Sequence, residues 1–142
     1  RWGFSTDQAV MNRLAESPTG RWDSAYQLPA GTLTVSAVTV NDGPIKFDTY
    51  GDKIYCNASE TSDLIVDYIF RASESTWPSY FTIAVEYTMA SLLAVSIARD
   101  PTLAQMLEQK SVFLMTKARN HDSQRQTTKQ LNTSRFIAQR RS

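Results

Sequence analysis

At Trp77-Pro78 the hydrophobic period of this chain changes, and that change limits the fold more than any other feature. Before it, apolar residues alternate in twos. After it they recur at three and four. Strands gathered ahead of helices, rather than interleaved with them, predict an α+β fold with a small antiparallel β-sheet and a helical layer beside it.

In the first part, Thr32–Val40 (TLTVSAVTV) is rich in β-branched residues and sets Leu33, Val35, Ala37 and Thr39 on one face, which predicts a strand. Asn41-Asp42-Gly43-Pro44 is a turn cluster. Ile45–Thr49 and Lys53–Asn57, joined through Tyr50-Gly51-Asp52, predict a hairpin. Leu64–Arg71 (LIVDYIFR) alternates again and predicts the last strand, so the expected order is a meander over about 32–71. Residues 1–30 read as loop-rich, with Ala9–Leu14 open between a helical turn and a short strand.

In the second part, Phe81, Val85, Met89, Leu92 and Val95 form a stripe over Pro78–Arg99. Ile83, Tyr87, Leu93 and Ile97 widen it nearly all the way round. A helix apolar on most sides is expected to be buried on most sides. Asp100-Pro101 supplies an N-cap and a proline at the first helical position. Leu103, Met106/Leu107, Phe113/Leu114 and Ala118 predict a second helix over 101–119, closing an antiparallel two-helix hairpin.

Charge then divides the molecule. Lys117–Ser142 carries seven basic residues against Asp122, a formal +6, whereas the preceding 116 residues hold thirteen acids and eight bases, a formal −5. Beyond Thr116 the large apolar residues are Leu131, Phe136 and Ile137. Such a stretch buries too little to offset its ordering entropy, so the expected organisation is a body over 1–119 and an extended basic C-terminal arm over 120–142. The arm's partner-binding candidates are Arg125, Lys129, Leu131, Arg135, Phe136, Ile137, Arg140 and Arg141. With Phe136 as its one aromatic, the arm has no base-stacking platform, and its charges suit an acidic protein neighbour such as a second copy's body. A basic-armed nucleic-acid-binding module is the alternative reading.

Catalysis has little support. His121 has Asp122 and Ser123 only as sequence neighbours, which one short stretch cannot position as a triad. Cys56 is the one cysteine and reads as a small strand hydrophobe without a base beside it. The five glycines form no phosphate loop, and the acids lack metal-loop spacing. No enzyme activity, metal or cofactor is therefore expected. No run reaches the roughly 18–20 apolar residues of a membrane span, and nothing resembles a signal peptide. Glu86, the one charge between Pro78 and Ala98, is a candidate polar contact between subunits. Opening on Arg1, the chain reads as starting inside a domain.

The order of these features resembles the podovirus head-to-tail adaptor family of the tail tubular protein A, or gatekeeper, type. Trp2-Gly3-Phe4 is similar to the aromatic W-x-F after that family's first helix. Trp22–Ala30 (WDSAYQLPA) is similar to the stretch leading into its first sheet strand. The Ile54–Asn57 and Leu64–Arg71 strands match its small sheet, and the two helices its helical hairpin. Lys117–Gln124 (KARNHDSQ) resembles the A-R-x-x-D-x-Q run at the end of the second helix. Arg135–Arg141 (RFIAQRR) resembles the closing tail, with Phe136 where the pattern favours Trp. The family's first helix has no counterpart in this sequence.

The resemblance implies a structural virion protein at the head–tail junction. Its copies, typically twelve, would form a ring below the portal protein on which the tail nozzle protein assembles. DNA would pass through the lumen without sequence-specific binding. The arm would order on assembly, and no membrane or cofactor is implied.

Overall fold

The computed structural model describes residues 1–15 and 20–125. Its class is the expected one, antiparallel β followed by two packed helices. The chain divides into two compact units, Arg1–Thr82 and Ile83–Ser142.

The first unit contains seven strands: β1 (Thr6–Met11), β2 (Ser24–Gln27), β3 (Thr32–Val40), β4 (Gly43–Pro44), β5 (Phe47–Tyr50), β6 (Lys53–Cys56) and β7 (Leu64–Phe70). They form two antiparallel sheets, ordered β1-β7-β3-β4 and β2-β6-β5, rather than one meander. The last strand in sequence enters between β1 and β3, and β2 adds to the β5–β6 hairpin from its far side. Inner faces of both sheets meet in a single core of Met11, Tyr26, Leu28, Val38, Ile54, Cys56, Leu64, Val66 and Tyr68. Burying nine such side chains is the main force holding this unit together, at roughly 25 cal/mol for each Å² of apolar surface removed from water.

Three local features differ from the expectation. The stretch 1–30 is not mainly loop, since β1 and β2 lie in it. β1 is an edge strand, mostly exposed, and its state is set by the β7 edge it pairs with, Thr6 to Ile69 through Met11 to Leu64. In β3 the buried residue is Val38, not the Leu33–Thr39 row. Register shifts between Thr32 and Thr34 and between Val35 and Ala37 break the alternation: Leu33, at the first, is exposed, Val35 still packs against the core, and beyond the second it is Val38 that is buried. The turns follow their chemistry. Asn41 and Asp42 both take positive φ, 50° and 62°, as a two-residue turn between paired Val40 and Gly43 requires. Gly51 takes φ 61° between paired Tyr50 and Lys53.

The helices are α1 (Ser79–Ser96) and α2 (Pro101–Arg125). After α1, Arg99 turns the chain at φ 49°, and the Asp100 amide donates back to the Ala94 carbonyl. The Asp100 carboxylate then accepts from the amides of Thr102 and Leu103, both at 3.1 Å, as the expected N-cap worth about 1 kcal/mol. α2 runs six residues past Arg119, so Asn120–Arg125, expected in the arm, is helical.

Candidate docking surface

The hairpin closes through small residues. α1 buries Ala84, Ser91 and Ala94; α2 buries Ala104, Ser111, Ala118 and Asp122. Ala84 and Ser91 are seven apart, as are Ala104, Ser111 and Ala118, so each helix presents a narrow strip of short side chains every two turns. The fully buried positions of both helices are therefore short side chains, while Val85, Leu107, Leu114 and Met115 are half-buried beside them. The Lys110 ammonium, 4.8 Å from the centre of the Tyr87 ring, adds a cross-helix contact.

The large residues face outward instead. Ile83, Met89, Leu92, Leu93 and Val95 on α1 are exposed, as is Ile97 just beyond it, Leu92 by 66% and Ile97 by 75%. Leu103, Met106, Val112 and Phe113 on α2 are exposed as well. This corrects two expectations: α1 is not buried on most sides, and Leu103, Met106 and Phe113 do not form the packed stripe of α2. The signal that locates the seam, small residues at a spacing of seven, was present in the sequence but lies beneath the louder apolar periodicity. Glu86 is exposed on α1, with Ile83, Met89 and Leu93 at helical spacing around it.

Along one side of the seam runs a groove of about 380 Å³. Thr88, Ser91, Leu92 and Val95 line it from α1; Ala104, Glu108, Ser111, Val112 and Met115 line it from α2. Its hydroxyls are turned to their own helices. Thr88 donates to Ala84 O at 2.8 Å, Ser91 to Thr88 O at 2.7 Å and Ser111 to Glu108 O at 2.7 Å. With those donors engaged, the groove offers mainly hydrocarbon to a visitor, and Glu108 is the one charged residue lining it.

In the first unit, a second apolar feature surrounds Phe81 in the opening turn of α1. Trp2 and Phe4 lie with ring centres 4.9 Å from Phe81, and Trp77 lies 5.0 Å away. The Trp77 indole N–H donates to Ala72 O at 3.3 Å. Trp2-Gly3-Phe4 therefore anchors the start of the chain on the start of the helix, an edge-to-face cluster whose geometry suits aromatic quadrupoles.

The other candidates, His121 and Cys56, lie on different elements, α2 and β6. His121 is exposed on α2, far along the chain from any strand acid. Cys56 is fully buried, and burial pushes its thiol above the ordinary range, which opposes a nucleophilic thiolate. Among the described residues no three His, Cys, Asp or Glu side chains come together as a metal site. No described helix is long and apolar enough to cross a membrane. Arg125 closes α2 in an exposed position, where a cation complements the helix dipole. Lys129, Leu131, Arg135, Phe136, Ile137, Arg140 and Arg141 lie outside the described residues. Neither a scan of protein-family models nor a search of curated proteins finds a match for this chain.

Proposed function

We propose that this chain is a structural assembly protein, a head-to-tail connector subunit whose hairpin docks against neighbouring copies. The single observation that carries the reading is the outward apolar face of the hairpin. Nine large hydrophobic side chains on the two helices, and Ile97 after α1, stand exposed while the fully buried positions are mainly alanine and serine. Large apolar side chains exposed in that number on one hairpin favour an interaction site over a solvent face. A ring fits it well, because each copy would present one face to the next and close by rotation. Glu86 would then form a polar contact between copies within an otherwise apolar strip. In the full reading, the ring lies below a portal protein, carries the tail nozzle protein and passes DNA through its lumen. The motif order from Trp2-Gly3-Phe4 to Arg135–Arg141 supports that placement in the virion.

The test is self-association of the full chain. Leu93→Asp with Ile97→Asp places two charges on the outward face, where neither side chain contributes to the seam. Sedimentation velocity is expected to show wild-type oligomers and a monomeric variant with unchanged far-UV dichroism. A wild-type chain that stays monomeric at high concentration, alone and with portal particles, would sink the reading. Tight binding of random duplex DNA by that monomer would replace it with the nucleic-acid-binding alternative.

A further inference from the structure

We propose that the C-terminal segment of this same chain docks in the hairpin groove, with Phe136 and Ile137 between Leu92/Val95 of α1 and Val112/Met115 of α2. The seat is defined by chemistry already described: an apolar trough of about 380 Å³, its hydroxyls bonded to their own helix carbonyls and its one charge negative. The segment beyond Arg125 is complementary in both respects. It has four basic residues and no acid, and its one adjacent pair of large apolar residues, Phe136-Ile137, directly follows Arg135. Phe136-Ile137 fills the trough while Arg135 lies beside Glu108.

Length allows the seat. Glu108 lies seventeen residues before Arg125 on α2, about 25 Å along the helix. Phe136 lies eleven residues beyond Arg125, a reach of about 36 Å when extended. A segment that doubles back along α2 therefore spans the groove with chain to spare. Covalent attachment also favours the chain's own segment over a free partner, since a short tether holds its end at an effective concentration on the order of millimolar. This seat stands on the groove and the tether alone, so its failure would leave the assembly reading intact.

Methionine methyl NMR on the full chain tests it, because the four methionines are placed as reporters. Met115 lines the groove, Met89 and Met106 face outward, and Met11 belongs to the β core. Wild-type chain is expected to show a nuclear Overhauser contact between the Met115 methyl and the Phe136 ring. Phe136→Ala with Ile137→Ala is expected to shift the Met115 signal and leave Met89, Met106 and Met11 in place. No such contact, together with an unmoved Met115 signal in the double variant, would overturn the proposal. So would a contact found only between differently labelled copies in a mixed sample.

Discussion

Cys56 shows how one residue can be decided by its surroundings. Its side chain is fully buried, the Ser24 hydroxyl donates to its carbonyl at 2.6 Å, and burial raises its thiol. Tyr68 is raised for the same first reason, with the Asp7 carboxylate adding to it. Both groups bind their protons more tightly folded than unfolded, so the stability they contribute is present below the unfolded values, about 8.5 for Cys and 10 for Tyr. It is lost as pH rises through the folded ones. The urea midpoint of the wild-type chain is expected to fall between pH 7.5 and pH 10, and to fall less in Cys56→Ala. Equal falls would remove Cys56 from the account. The strand around Cys56 was legible in the sequence as alternation, and so was its role as a small hydrophobe. Its exact partners, Ser24 from β2, were not, because β2 is four residues long and bracketed by turn signals.

At the scale of elements, the hairpin reverses the usual division of labour between large and small residues. Packing density bears on the buried strip: Ala104, Ser111 and Ala118 are buried on α2, and a larger side chain there must displace what packs on it. Ser111→Leu is expected to cost about 1–3 kcal/mol in urea unfolding, the ordinary range for overpacking. Met106→Gln, on the outward face, is expected to stay within about 0.5 kcal/mol. Comparable losses at the two positions would mean that the seam is not where the strain falls. This also explains what the sequence made legible. Periodicity, the Asp100-Pro101 cap and the turn residues located both helices and four of the strands, because those signals are local. Which helix face is buried depends on the neighbour's side chains. Which strands pair depends on distant partners, as with β1 at the free edge of β7, and neither is a local property.

For the molecule as a whole, charge is the feature that acts at a distance. The first 116 residues are formally −5 and the last 26 formally +6, and the helical extension to Arg125 carries Lys117, Arg119 and Arg125 on α2. If copies associate as proposed, a near-neutral chain divided this way would draw basic end to acidic body at low salt more strongly than its net +1 suggests. Screening limits that attraction, since the Debye length is about 10 Å at 0.1 M salt. Arg135→Glu with Arg140→Glu lowers the basic end from +6 to +2 without touching a described residue. Self-association of the wild-type chain is therefore expected to weaken as salt rises, measured by sedimentation across a salt titration. The variant should be weaker at low salt and flatter across the series. Overlapping curves for the two proteins would mean that the outward apolar face of the hairpin holds copies together without electrostatic help from the arm.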